Sequence, residues 1–182
     1  MARISLDLPD TLLGRAARAY SRRTYGNVLA PGAAMAHHPK VLLADVWFER
    51  SVAGWDRLDA DLKGLAALAA AATVGCSWCM DFGYWTEHTR GLDQAKLRAV
   101  TTWRDSDAFT ELERRVLDYA EAISATPPVV TDAMVAGLRD HLDEAQLVEL
   151  TMMVAVENQR SRFNSALGLS SQGFTDRCEL AQ

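Results

Sequence analysis

Two thiols sit three residues apart in the stretch TVGCSWCMDFGYW, directly behind an alanine-rich apolar run that ends in Gly75. A Cys76-x-x-Cys79 pair is open to three chemistries. It can be a redox-active dithiol, part of a metal site, or two small core residues. A zinc site wants four ligands, and beyond the pair only Cys178 and His88 could be recruited, without the spacing that marks such sites. No metal and no cofactor are therefore expected, and the choice lies between working and inert thiols.

The elements that must position the pair follow from length and pattern. A chain of 182 residues fits one domain, residues 1–182, and buries a core without staples. It is 49% hydrophobic and 24% charged with a net charge of -5, which argues against nucleic acid as a partner. Arg15, Arg18, Arg22 and Arg23 read as a solvated helix face. The start, MARISLDLPD, lacks a continuous apolar segment, and nowhere do 18 apolar residues run without a charge. No membrane association and a cytoplasmic location are expected. Three cysteines in such a chain make a secreted disulfide framework improbable.

Helical periodicity dominates, which predicts an all-α bundle of six to eight helices. Leu12, Ala16 and Ala19 read as the apolar side of the first helix. Pro39 suits the first turn of a helix whose Leu42, Val46, Phe48 and Val52 face a core. The Leu/Ala run from Leu62 to Thr73 implies a helix packed on most sides. Gly91 reads as a C-cap and Asp93 as the next N-cap. Phe109, Leu112, Val116, Leu117, Tyr119 and Ile123 form a stripe that Pro127 and Pro128 terminate. Thr131 caps a short helix, and Asp143 with Gln146 starts a long one in capping-box fashion. The one strand-like alternation is RISLDL. Leu92–Leu97 and Leu142–Leu147 are alike enough to raise an internal duplication, although capped amphipathic helix starts converge on such sequences anyway.

The helix ending in Gly75, the Cys pair at the next helix start, then TRGLDQAKLRAV and VLDYAEAISATPPVVTDAMVAGLRDHLDEAQLVELT, resemble the carboxymuconolactone decarboxylase superfamily, in particular its alkylhydroperoxidase-D-like branch, over roughly residues 30–170. The resemblance implies an all-helical homo-oligomer, commonly a trimer or hexamer. It further implies that Cys79 attacks a peroxide and that Cys76 resolves the sulfenic acid. Residues at i and i+3 share a helix face, about 5 Å apart at Cα, within disulfide reach. A helix N-terminus also favours a thiolate.

Two departures bear on that chemistry. Where the family's motif has His four residues after the second cysteine this chain has Gly83, and where it has Glu twelve before the first it has Gly64. Cys79 must then depend on the helix dipole or on a group from elsewhere. Asp81 beside a thiol would raise its pKa and hinder it. His88 lies about 13 Å up the helix from Cys79, too far to act as the missing His. His37, His38 and Glu157 could approach only through tertiary structure or from a neighbouring subunit. Trp78, Phe82, Tyr84 and Trp85, with Trp47 and Trp55 upstream, read as core or interface packing, or as the lining of an apolar pocket over Cys79. The polar stretch ENQRSRFN follows the apolar LTMMVAV. It reads as a solvated helix end in which Glu157 and Arg160 pair, or as an inward face, with Glu157, Asn158 and Arg162, that orders the Cys helix.

The expected function is a thiol-dependent oxidoreductase, either an antioxidant peroxidase or a dithiol–disulfide exchanger. Cys79 and Cys76 would be its catalytic residues, and Glu157, His88 and Trp78 accessory ones. Its partners would be a small hydroperoxide or other apolar ligand and a thiol reductant protein. The alternative is a catalytically reduced relative that binds a small molecule or serves in assembly. A lactone decarboxylase activity ranks last, because such decarboxylases do not depend on a Cys pair.

Overall fold

The computed structural model describes residues 1–179, which form ten α-helices, a 3-10 turn at Val100–Asp105, and no strand among them. The all-α expectation stands, but the helix number exceeds six to eight. The surplus comes from α2 (Ala30–Met35) and α10 (Asp176–Glu179), each too short to show a 3.6-residue period, whereas the short α6 (Gln94–Ala99) is the helix that Asp93 was expected to cap. RISLDL forms no strand; it is held instead by local bonds such as Asp7 N–H to Ser5 Oγ, 3.1 Å. The chain divides into two compact units, residues 1–55 with 167–169, and residues 56–166 with the segment from 170 onward.

In the first unit, α1 (Leu12–Tyr25), α2 and α3 (Pro39–Ala53) gather around Leu8, Ala33, Ala36 and Leu42. The apolar side expected of α1 is reversed. Leu12 is 87% exposed, and Gly14 is buried, because the helix lies against its own N-terminal segment: Arg18 donates to Leu8 O at 3.2 Å, and Gly14 packs close to Pro9 O. On α3, Leu42 and Val52 are buried as expected, whereas Val46 is exposed together with Val41, Leu43 and Trp47.

The second unit is a bundle built on α4 (Ala60–Val74), which packs against α5 (Ser77–Arg90), α7 (Glu111–Ser124) and α9 (Glu144–Ala166). Its face of Leu65, Ala66, Leu68, Ala69, Ala70 and Ala71 is fully buried, and the small side chains let three helices approach it at once. The caps follow the sequence: Asp59, Asp93, Thr110 and Thr131 each accept from the first-turn N–H groups, and Asp143 and Gln146 close their reciprocal pair at 2.8 and 2.9 Å.

Polar contacts fix how α9 is rotated in the bundle. Lys63 pairs with Glu149 at 2.9 Å, and Glu149 also takes the Arg57 N–H at 2.8 Å. Tyr119 and Thr151 share a hydrogen bond at 2.9 Å, Asn158 donates to Ser124 Oγ at 2.7 Å, and Arg162 donates to Thr126 Oγ1 at 3.0 Å. With those residues turned to α4 and α7, the side of α9 carrying Glu157, Ser161 and Asn164 is left to face α5.

The segment after α9 is fastened to α5. Asp81 is buried and accepts the N–H groups of Gln172 at 2.8 Å, Phe174 at 3.1 Å and Thr175 at 2.8 Å. Burial pushes its carboxyl up, but the N–H groups of Thr175, Phe174 and Gln172 together outweigh it and hold Asp81 below its ordinary value. Cys178, in the same segment, is 4% exposed. A depressed carboxyl pKa stabilises the fold above the unfolded value of about 4, and that stabilisation is lost as pH falls through the folded value. Asp81→Ala should cost about 3 kcal/mol at neutral pH in urea unfolding, and the cost should shrink below about pH 4. A pH-independent loss under about 1 kcal/mol would contradict this role for the carboxylate.

Candidate active site

The site begins with a turn. Gly75 closes α4 in the left-handed conformation, φ 79°, with its N–H and that of Cys76 both returned to Ala71 O at 3.0 Å. That reversal needs a residue without Cβ strain, and it delivers Cys76 directly to the N-cap of α5. Cys76 Sγ accepts the Cys79 backbone N–H at 3.2 Å. A sulphur therefore stands where a Ser or Asp oxygen usually caps a helix, facing its positive end.

Three side chains of α9 complete the centre, at 157, 161 and 164, one face of the helix. Glu157 and Asn164 are 6% and 1% exposed, and Ser161 is fully buried. Ser161 Oγ donates to Glu157 Oε1 at 2.9 Å, and Arg160 pairs with Glu157 Oε2 at 3.3 Å. Asn164 Nδ2 donates to Cys79 Sγ at 3.3 Å and lies 3.9 Å from Cys76 Sγ. Cys76 and Cys79 are not bridged, and both are buried, at 1% and 6% exposure.

These contacts divide the two thiols electrostatically. Cys76 is lowered to about 6, chiefly because the Cys79 thiol donates to it; burial opposes this, while the Cys79 N–H, Ser161 and Asn164 add to it. Cys79 is raised, first by serving as that donor, then by burial and by the charge of Glu157. Burial likewise pushes Glu157 up, against the Arg160 charge and the hydrogen bonds of Ser161 and Cys79. The favoured state is a Cys76 thiolate beside a neutral Cys79 thiol and a carboxyl inclined to hold its proton.

The structure thus brings together Cys76, Cys79 and Glu157 from the residues singled out in the sequence. The ENQRSRFN segment is not a solvated end. Glu157 turns inward, while Asn158 and Arg162 brace α9 against the end of α7 rather than ordering the Cys helix. His88 is directed elsewhere, 3.3 Å from Gln94 Nε2 and stacked near Tyr84. Trp78 donates to Gln172 Oε1 at 2.8 Å and stacks on Phe82, which with Trp85 and Phe174 forms one ring cluster. Asp81 spends its oxygens on residues 172–175 and is not a cause of either thiol's shift. Among the described residues no group of three His, Cys, Asp or Glu is placed to hold a metal ion. No helix among them is long and apolar enough to cross a membrane.

Sequence reading missed Ser161 and Asn164. Their signal was the spacing 157, 161, 164, which places Ser161 and Asn164 on the same helix face as Glu157. The two glycines also acquire a reason. A side chain at Gly64 would run into the Glu87 carboxylate, and one at Gly83 would stand 3.0 Å from Leu68 Cδ2. Both vacant positions are filled by neighbours, and acid is supplied from α9 instead.

Residues 40–122 match the model of the carboxymuconolactone decarboxylase family. The chain is also 36% identical over 157 residues, 84% of its length, to the uncharacterized protein YnjA of Escherichia coli K12, spanning 85% of that protein. The chain belongs to the carboxymuconolactone decarboxylase family. Its fold is that of the alkylhydroperoxidase-D-like members. An uncharacterized peroxidase-related protein from Ralstonia eutropha JMP134, described as an alkylhydroperoxidase AhpD core, superposes with a TM-score of 0.80 at 17% identity, covering 96% of this chain and 94% of that one. The debrominase Bmp8, in a complex of its cysteine-to-alanine variant with 2,3,4-tribromopyrrole, superposes with a TM-score of 0.83 at 16% identity, covering 100% and 99%. For this carboxymuconolactone decarboxylase family member, a pH titration of ultraviolet thiolate absorbance, which needs no access to a buried sulphur, should show one thiol titrating near pH 6 that Cys76→Ser removes. The absence of any thiol titrating below about pH 8 would contradict the assigned state.

Proposed function

We propose that this protein is a thiol-dependent oxidoreductase that reduces a small organic hydroperoxide at the Cys76/Cys79 pair. The observation that carries this reading is Glu157, a buried acid delivered by α9 to the thiol pair at which the family's own relay positions are glycine. A thiolate sulphur attacks the distal peroxide oxygen, so that an S–O bond forms as the O–O bond breaks. The leaving alkoxide takes the proton of Glu157 and departs as an alcohol, leaving a sulfenic acid. The second thiol attacks that sulphur, the S–S bond forms, and hydroxide leaves with the thiol proton as water. Two electrons have passed to the peroxide, and an external dithiol reductant, a thiol protein, returns them by exchange.

The family correspondence gives attack to Cys79 and resolution to Cys76. The N-cap position favours the reverse order, because Cys76 is the better-stabilised thiolate. In the resulting disulfide, attack by the incoming reductant re-forms the same pair. Small size and apolar character in the substrate fit the ring cluster of Trp78, Phe82 and Trp85 on α5 with Phe174 from the segment after α9.

A second reading, a catalytically reduced member that binds a small molecule or serves in assembly, is favoured by one observation: both sulphurs are almost wholly buried, at 1% and 6% exposure. We also propose self-association as a trimer or hexamer, on the exposed apolar side chains Val41, Leu43, Val46 and Trp47 along α3, which a solvated helix rarely carries.

Trapping with a sulfenic-acid reagent under an alkyl hydroperoxide distinguishes these readings. Sulfenic acid should accumulate on Cys76 in Cys79→Ser; accumulation on Cys79 in Cys76→Ser would restore the family order. Absence of sulfenic acid in both variants would support the binding or assembly role. Glu157→Gln, an isostere of the neutral acid, should fold normally and slow peroxide reduction about a hundredfold in stopped-flow kinetics. Unchanged kinetics would remove Glu157 from the mechanism.

A further inference from the structure

Asn164 is 1% exposed, and only one end of its amide is satisfied. Nδ2 reaches Cys79 Sγ at 3.3 Å and lies 3.9 Å from Cys76 Sγ, while Oδ1 is buried with no hydrogen-bond partner. A buried carbonyl oxygen without a donor is costly, and such atoms are rare in folded proteins. An amide with a purely structural role inside the bundle is expected to have its carbonyl paired as well as its nitrogen. The unpaired acceptor lies in the same planar group as the nitrogen bonded to the sulphur, hence within a few ångströms of the reacting atoms.

We propose that Asn164 is the substrate-orienting amide of this centre: its Nδ2 holds the two sulphurs, and its Oδ1 accepts a hydrogen bond from the O–H of an incoming hydroperoxide. This rests on the peroxidase reading, and it narrows the substrate class to molecules with a hydrogen-bond donor on the atom under attack. The terminal –OOH of an alkyl hydroperoxide is such a donor. Pinning that hydrogen aims the distal oxygen at the sulphur, while Nδ2 stabilises the thiolate and the sulfenate that replaces it.

The charged and titratable groups around the amide are few, which keeps a titration readable. They are Cys76 and Cys79 on α5, and Glu157, with its partner Arg160, on α9 itself. Asp81, also on α5, is occupied by the N–H groups of residues 172–175.

Two variants separate the halves of the amide. Asn164→Leu keeps the volume and removes donor and acceptor; Asn164→Asp keeps an acceptor and removes the donor. Thiolate absorbance titration reads the sulphur contact whether or not the protein turns over. Both variants should move the lowest thiol titration upward, and a downward shift would mean that the carbonyl faces the thiols, overturning the proposal. Saturation kinetics with tert-butyl hydroperoxide read the second half. Asn164→Leu should raise KM and lower the rate of sulfenic acid formation tenfold or more at a pH where its thiol is ionised, and an unchanged KM and rate would overturn the substrate contact. Should neither variant fold, the wild-type side-chain NH2 resonances of Asn164 must still shift as the thiol titrates, and their constancy would refute the sulphur contact. A wild type that titrates as described but reduces no hydroperoxide would sink the peroxidase reading, and the substrate contact with it, while leaving the sulphur contact standing.

Discussion

Everything at the centre depends on Cys76 serving as the N-cap of α5. Because Gly75 ends α4 in a left-handed turn, the next residue is forced to the first position of a new helix, where its side chain meets unpaired N–H groups. A sulphur in that position is polarised toward the thiolate by the helix itself, before any neighbouring side chain acts. Shifting the pair one residue along would point both sulphurs to another face and break every contact with α9.

The second requirement is the rotation of α9. The apolar residues of α9 point to more than one side, and burial of Leu150, Val154 and Val156 does not choose a single orientation. The choice is made by polar partners that would be costly to orphan: Glu149 with Lys63, Thr151 with Tyr119, Asn158 with Ser124. They share the helix with Glu157, Ser161 and Asn164 and set the direction in which those three project. Stability and chemistry therefore share one helix, whose bracing residues flank the face that carries the reacting ones.

Much of the fold was legible because it is written locally. Caps at Asp93, Thr131 and Asp143, the stop at Pro127 and the buried Leu/Ala helix all follow from short-range chemistry, and the structure carries each of them. Faces were less legible. Leu12 and Val46 look like core residues by spacing, yet they are exposed, since spacing says that a helix has an apolar side and not what covers it. The site was half legible. The Cys pair announces itself, and Glu157 could be named as a candidate, but Ser161 and Asn164 belong to the centre through tertiary contacts, 85 to 88 residues long in the case of Asn164. The place of Asp81 was hidden for the same reason: set aside as a base for the thiols it adjoins in sequence, it faces a segment 91 to 94 residues away.

The central claim is that a buried pair at a helix N-terminus, served by an acid from α9, is a working dithiol. The most direct measurement adds one equivalent of an alkyl hydroperoxide to the fully reduced protein without denaturant, then counts disulfides by mass spectrometry and alcohol by chromatography. The account predicts a Cys76–Cys79 disulfide and alcohol in equal amounts, reversed by a dithiol. Cys76 and Cys79 both still free, with intact hydroperoxide, would contradict it.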